Sequence, residues 1–512
     1  MSVEPAREAF KAAYLGGRPQ VVWKRIVDDL ETPVSAYLKI AAGRPYAFLF
    51  ESVEGGAWRG RYSIVAMNPD LVWRCRGNQA EIAEGQKIAA GDFTSQAEGA
   101  LESLRDLVAQ TRLELPTGLP PMSAGLFGAL GYDMIRLAER LPDVNPDPIG
   151  LPDAIMIRPS IIAIFDAIAQ EIILVTTVRP SSLDADQAYE RAIDRLQRVT
   201  DDLAQPLPPR TARPEPEPSD DPFRSPVSCD AYGAIVEKAK EYIRAGDIFQ
   251  VVPSHRFSAP FSDDPFALYR SLRRTNPSPF LYFLNFPDFQ LVGSSPEILV
   301  RLRDGKITIR PIAGTRPRGA TPAEDIALEA ELLADPKERA EHLMLLDLGR
   351  NDVGRVAMLR HAGRNTPASS TDRPNVRVTE SFTIERYSHV MHIVSNVEGN
   401  APEGVDPVDV LMAALPAGTL SGAPKVRAME IIDELESVKR GIGYAGAVGY
   451  FGADGSVDTC IVLRTALLKD GIMYVQAGGG VVADSDPIAE YEETVQKSRA
   501  LRRAAAEAWR FT

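Results

Sequence analysis

The residues of this 512-residue chain whose types and spacing most invite chemistry are two pairs of glutamates. Glu338 and Glu341 stand three apart in DPKERAEHLMLLDLGRND, and Glu490 and Glu493 repeat that spacing in IAEYEETVQKSRALRRAAAEAW. Both stretches read as helices, so each pair places its carboxylates on one helix face, with Lys497 one turn beyond Glu493. Either pair alone reads as solvated helix charge. Facing each other, the two would form an oxygen-rich site suited to Mg²⁺, which takes a few carboxylates together with waters and substrate oxygens.

Other motifs narrow the chemistry. Gly441-Ile-Gly-Tyr-Ala-Gly446 fits G-x-G-x-x-G, but the preceding DELESVKR reads as a helix and the following AVGYFGADGSVDTCIVLRTALL as a hairpin, so a dinucleotide site is not expected. Gln476-Ala-Gly-Gly-Gly-Val-Val482 lacks the ending of a phosphate loop and suits a place where bare backbone approaches a ligand. The stretch PIAGTRPRG, 311–319, reads on its own as a strand end and a rigid turn. His255, His389 and His392 lie in apolar runs, where a hydrogen-bonded core histidine is ordinary. Cys75, Cys229 and Cys460 show neither C-x-x-C spacing nor the G-x-C-x-G setting of a glutaminase nucleophile, so no disulfide framework, thiolate metal site or glutamine hydrolysis is expected.

These residues need a large frame. A chain of this length, 45% apolar, can bury an extensive active site, and its net charge of -13 argues against nucleic acid as the main partner. The amino terminus has no apolar leader segment, and the run at 161–178 is broken by Asp166, Gln170 and Glu171. It reads as two strands around a turn rather than a membrane span, and with three unpaired cysteines the chain suits a reducing cytoplasm. The Pro-rich stretch 203–226 reads as an exposed linker between an amino-terminal region, 1–202, and a carboxy-terminal region, 227–512. Strand patterns such as YAFLFES, QLVGSSPEILVRL and KITIRPIAGT mix irregularly with helical ones such as 97–111. The expected class is α+β, a large antiparallel-sheet sandwich flanked by helices. The Ser/Thr/Pro/Arg-rich patch at 360–375 reads as a surface loop.

Taken together, GDIFQVV (246–252), NPSPF (276–280), GSSPE (293–297), PIAGTRPRG, AEHLMLLDLGRNDVGRV (340–356), ERYSHVMHIVS (385–395), PAGTLSGAPK (416–425), DTCIVLR (458–464), QAGGGVVADSDP and EYEETVQKSRAL (490–501) resemble the component I subunits of the anthranilate synthases, within the chorismate-utilising enzymes. They run in that family's order through most of the second half, while FLFES (48–52) and GRYSIVAMNP (60–69) resemble its amino-terminal region.

The resemblance implies Mg²⁺-dependent amination of chorismate with ammonia, then loss of pyruvate, giving anthranilate as the first step toward tryptophan. It implies a metal held by Glu341 and Glu493, with Glu338 and Glu490 acting through waters, and Glu297 as the acid that protonates the leaving C4 hydroxyl. His392 matches an active-site histidine assigned to the ring carboxylate and the elimination, and Thr419 and Thr315 line the pocket. Tyr444, Arg464 and Lys497 match positions at the substrate carboxylates, with backbone at Gly314, Gly478, Gly479 and Gly480 close by. Gln250 stands where water-using relatives carry a lysine base, so ammonia is the expected nucleophile, supplied by a glutamine amidotransferase partner, component II. Tryptophan is expected as a feedback inhibitor, bound by Glu51, Ser52, Arg61, Pro279, Phe280 and Leu281. The alternatives are a 4-amino-4-deoxychorismate synthase component, whose version of PIAGT commonly has lysine at the Ala313 position, and a silent tryptophan-binding subunit. The sequence departs from the family in a longer 360–375 loop and in His255.

Overall fold

The computed structural model describes residues 2–52, 60–209, 221–359, 375–387 and 390–512. Its frame is one continuous antiparallel sheet in two lobes that share two long strands, Tyr62–Arg76 and Ala154–Asp166. These pair along almost their whole length, and their register slips between Pro69 and Leu71, with Pro69 opposite Pro159. A proline has no N–H for the ladder and is tolerated at an irregularity, and strands that change sheets do so at such breaks.

On one side of that break, Ala47–Glu51 continues the first lobe through Phe280–Asn285, Gln290–Ser295, Thr465–Lys469, Ile472–Gly478 and Ser254–Pro260. Glu171–Val178 and Gln20–Val27 close its other edge. On the far side of the break, Gly125–Leu130 leads into the second lobe through Ala447–Gly452, Val457–Ile461, Ile298–Arg303, Lys306–Ile309 and Val390–Asn400. Ile312–Pro317 and Arg377–Arg386 flank that last strand. Strands from before and after the Pro-rich stretch therefore share ladders.

Alternating residues decide the layers. Phe48, Ile64, Ile164, Tyr282 and Leu291 of the first lobe meet Phe127, Ile155, Val448 and Tyr450 of the second in one core between the lobes. The outer face of the first lobe packs under Arg7–Leu15, Pro33–Ile40, Ala185–Leu203, Pro265–Thr275 and Pro487–Glu507. The outer face of the second packs under Ala100–Thr111, Pro336–Ala357 and Pro407–Ala414. The α+β sandwich with flanking helices is thus the observed class.

One expectation changes. DELESVKR is helical only to Leu435, where the helix Lys425–Leu435 stops, because Glu436 and Arg440 turn inward as a buried ion pair. The stretch 203–226 is anchored at both ends: Leu203 is a buried helix terminus, Phe223 is buried, and Arg224 bridges Ser258. Residues 210–220 between them, the 360–374 part of the Ser/Thr-rich patch, and His389 lie outside the described residues. The run 161–178 does form two strands around a turn, and no described helix is long and apolar enough to cross a membrane.

Candidate active site

Two chain segments cross from one lobe to the other side by side. The chain leaves Gln290–Ser295 in the first lobe and enters Ile298–Arg303 in the second, with Glu297 at the crossing. Val457–Ile461 and Thr465–Lys469 cross in the opposite sense, with Arg464 at φ 49° in their junction. The amide of Ile461 donates to the Glu297 carbonyl at 3.0 Å, fixing one crossing against the other.

Glu297 is buried, and the Thr419 hydroxyl donates to its two carboxyl oxygens at 3.2 and 3.3 Å. Burial pushes its carboxyl up to about 8, against the weaker opposing effect of that hydrogen bond. Glu297 is therefore mostly protonated at neutral pH and able to donate. Both residues line a small cavity, of about 20 Å³, bordered by Leu345, Gly349 and Asp352 of the helix Pro336–Ala357.

Pro311 of PIAGTRPRG borders that cavity, and the residues after it form the strand Ile312–Pro317. Its pairing with Val390–Asn400 skips a residue between Ala313 and Thr315, and the extra residue is Gly314 at φ 67°. A Cβ there would be strained and would stand 3.1 Å from Glu338 Oε2. The bulge sets Thr315 directly opposite His392. His392 Nδ1 lies 2.9 Å from the Gly314 carbonyl and 3.1 Å from Thr315 Oγ1. A carbonyl can only accept, so Nδ1 carries the proton and Nε2 has the lone pair. Burial lowers the imidazole pKa, which keeps the ring neutral.

The acidic pairs converge electrostatically. Glu341 is held above the usual carboxylate range first by burial and then by Glu338, with Glu493 of the other helix adding to the repulsion and Lys497 opposing it. Glu490 is raised by burial, and its Oε1 accepts from Ser485 Oγ at 2.7 Å while its buried Oε2 makes no hydrogen bond. Lys497 bridges Glu493 at 2.6 Å and the Gly478 carbonyl at 3.0 Å. Arg316, from the PIAGTRPRG strand, pairs with Glu338 at 3.2 Å. Among the described residues, no three acidic, histidine or cysteine side chains stand close enough together to enclose a metal ion. The donor set nevertheless fits a hard dication: all oxygen, mutually repelling, with one orphaned carboxylate oxygen.

The triple glycine closes the ring. A Cβ at Gly478 would stand 2.9 Å from the Tyr444 hydroxyl, one at Gly479 would meet Glu490 Oε2 at 2.7 Å, and one at Gly480 would meet Gln250 Nε2 at 2.5 Å. Gln250 is buried and its Oε1 makes no hydrogen bond. Burial lowers the Arg464 pKa, Tyr444 and Glu493 partly offset this, and no described carboxylate lies within ion-pair distance of it. A half-buried guanidinium without a carboxylate is a natural seat for an anion.

The expected regulatory residues divide. Glu51 is buried opposite Leu281 in the ladder, and its carboxylate accepts from Arg273 at 2.8 and 3.1 Å and from the Tyr269 hydroxyl. Pro279 and Phe280 precede Leu281, and Ser52 Oγ accepts from the Gly60 amide at 3.0 Å. Arg61 does not join them. It makes a forked pair with Asp166 on the adjoining strand, at 2.8 to 3.2 Å. The cation that does reach Glu51 is Arg273, which sequence spacing did not single out because it lies on a helix more than 200 residues away. His255 proves a satisfied core residue, with Ser225 Oγ at 2.8 Å and Thr494 Oγ1 at 2.7 Å on its two nitrogens, and burial lowers its pKa to about 4.

The sequence profile of chorismate binding enzymes matches residues 48–503. The chain belongs to the chorismate binding enzyme family. It is 56% identical over 505 residues to the anthranilate synthase component 1 of Cereibacter sphaeroides, covering 98% of each chain. To that of Pseudomonas putida it is 49% identical over 483 residues, 93% of each. The crystal structure of anthranilate synthase component I from Streptococcus pneumoniae superimposes with a TM-score of 0.74 at 36% identity, covering 94% of this chain and 99% of that one. The menaquinone-specific isochorismate synthase of Escherichia coli shares the fold, with a TM-score of 0.67 at 17% identity over 98% and 99% of the two chains. The crossings and the bulge are therefore features of a family member's frame.

Proposed function

We propose that this chain is the component 1 subunit of an anthranilate synthase, converting chorismate and ammonia to 2-aminobenzoate and pyruvate, a lyase reaction of the cytoplasm. The observation that carries the reading is the buried carboxyl of Glu297 beneath the Thr419 hydroxyl at one strand crossing, with Arg464 at the adjoining crossing and the neutral His392 within electrostatic reach of that guanidinium.

Chorismate carries two carboxylates. Arg464 and Lys497 would bind them, with the Tyr444 hydroxyl and the bare backbone of Gly478 to Gly480 allowing close approach. Ammonia adds at C2, the ring double bonds shift, and the C4 hydroxyl leaves as water with the proton of Glu297. Thr419 holds the resulting carboxylate. The lone pair of His392 Nε2 suits removal of the C2 proton, and the enolpyruvyl C–O bond then breaks to give the aromatic amine and, after proton uptake, pyruvate. Glu341 and Glu493 would hold Mg²⁺, with Glu338 and Glu490 behind waters. Bound there, the ion would neutralise the ring carboxylate and draw electrons from the ring. Ala313 and Gln250 offer no amine, which supports ammonia delivered by a glutamine amidotransferase partner rather than a covalent nitrogen from this chain. Tryptophan would bind at Glu51, Ser52 and Pro279 to Leu281 as an inhibitor.

Incubating the purified chain with chorismate, Mg²⁺ and ammonium at alkaline pH should give fluorescent 2-aminobenzoate and equimolar pyruvate. With glutamine in place of ammonium, little product should form until a glutaminase subunit is added. Accumulation of 4-amino-4-deoxychorismate or isochorismate instead would refute the reading.

A further inference from the structure

The proposed mechanism makes no use of the most deeply buried ion pair near the pocket. Arg440 and Glu436 are almost fully enclosed, and the guanidinium reaches Glu436 at 2.5 Å. A lone pair of this kind is weak evidence for stability, because desolvation cancels much of the attraction. What distinguishes it is where its remaining bonds go.

Arg440 Nη1 donates to the Leu420 carbonyl at 2.6 Å, and Nη2 to the Val252 carbonyl at 2.7 Å. Leu420 follows Thr419, the hydroxyl on Glu297. Val252 lies two residues after Gln250, and its amide donates to the Ser421 carbonyl at 3.0 Å. Glu436 Oε1 accepts from both the amide and the hydroxyl of Ser254 at 2.8 Å, and Ser254 is the ladder partner of Gly478. The guanidinium also lies over the Tyr444 ring, 5.4 Å from its centroid, with Tyr132 at 4.8 Å on another side. Each segment so held carries a pocket residue: Thr419, Gln250, Gly478 and Tyr444.

We infer that Arg440 and Glu436 form a positioning hub that sets the Thr419 loop, the Gln250 strand, the Gly478 strand and the Tyr444 ring at their distances around the substrate. Neither touches the reacting atoms. Two carbonyls and one carboxylate are held at fixed angles by one planar fork, which a lysine with the same charge cannot reproduce. The inference rests on the proposed reaction, whose success is read from the unaltered chain, whereas the hub is read from the ratio of variant to unaltered chain.

The test is Arg440→Lys, compared with Val22→Ala, a core truncation on the outer face of the first lobe. Thermal melts establish that both are folded. Arg440→Lys should lower kcat for anthranilate formation at least tenfold and shift the alkaline limb of the pH profile, because the Thr419 hydrogen bond to Glu297 loosens. Val22→Ala should keep kcat within about twofold even where its melting temperature falls as far. Ser254→Ala, which removes the hydroxyl link to Glu436 together with the acceptor of Gln476 Nε2, should lower kcat severalfold with a fall in melting temperature no larger than that of Val22→Ala, and it decides the matter if Arg440→Lys does not fold. An unchanged kcat and pH profile in Arg440→Lys, or in Ser254→Ala where the first is unfolded, overturns the hub. So does an equal loss of kcat in Val22→Ala.

Discussion

Glu297 is where burial becomes function. A carboxyl near 4.5 when unfolded and near 8 when folded binds its proton more tightly in the native state. Stability at this residue therefore falls as pH rises from about 4.5 to about 8, by a few kcal/mol at roughly 1.4 kcal/mol per unit. Glu297→Gln keeps the shape and removes the charge. It should be more stable than the parent at pH 8, lack that slope in denaturant titrations, and lose about 10²–10⁴ in kcat. At constant free ammonia, kcat/KM of the parent should decline above about pH 8 as Glu297 ionises. On the acid side it should decline only below the ordinary imidazole range, since burial keeps His392 neutral. Equal stability slopes for parent and variant would show that the raised pKa is not Glu297's. None of this was legible in GSSPE alone: the sequence marks the residue through its resemblance, while the pKa arises from a strand crossing that no local pattern reports.

Elements were more legible than their contacts. The glutamate spacing and apolar periodicity predict the helices Pro336–Ala357 and Pro487–Glu507, because a helix face is a local property. That the two pairs converge depends on how both helices pack on the sheet, which spacing cannot encode. The Arg61–Asp166 pair was illegible for the same reason, since Asp166 sits on a strand about a hundred residues away. The triple glycine was legible as bare backbone, and the structure specifies what approaches it. Gly479→Ala would drive a Cβ against Glu490 Oε2, which lies 2.7 Å from that point. The expected result is a rise of about tenfold or more in the Mg²⁺ concentration for half-maximal activity, with the melting temperature nearly unchanged. An unaltered Mg²⁺ requirement would separate Glu490 from the metal.

At the scale of the molecule, the shared sheet joins the two candidate sites. Leu281 lies between Glu51 on one neighbouring strand and Ser294 on the other, and Phe280 is paired with Ser295, two residues before Glu297. A ligand that pushes on Phe280 or Leu281 therefore acts on the strand that ends at the acid, through ladder hydrogen bonds rather than a flexible loop. Since coupling between binding sites is reciprocal, tryptophan should weaken chorismate binding by the same factor by which chorismate weakens tryptophan's. Calorimetric titration of each ligand with and without the other measures both factors. Ser52→Arg should abolish inhibition while leaving kcat within about twofold, because Ser52 touches the Gly60 amide and none of the pocket residues. Arg61→Ala should leave inhibition intact, since its guanidinium is committed to Asp166. Persistent inhibition in Ser52→Arg, or its loss in Arg61→Ala alone, would move the inhibitor to another part of the sheet.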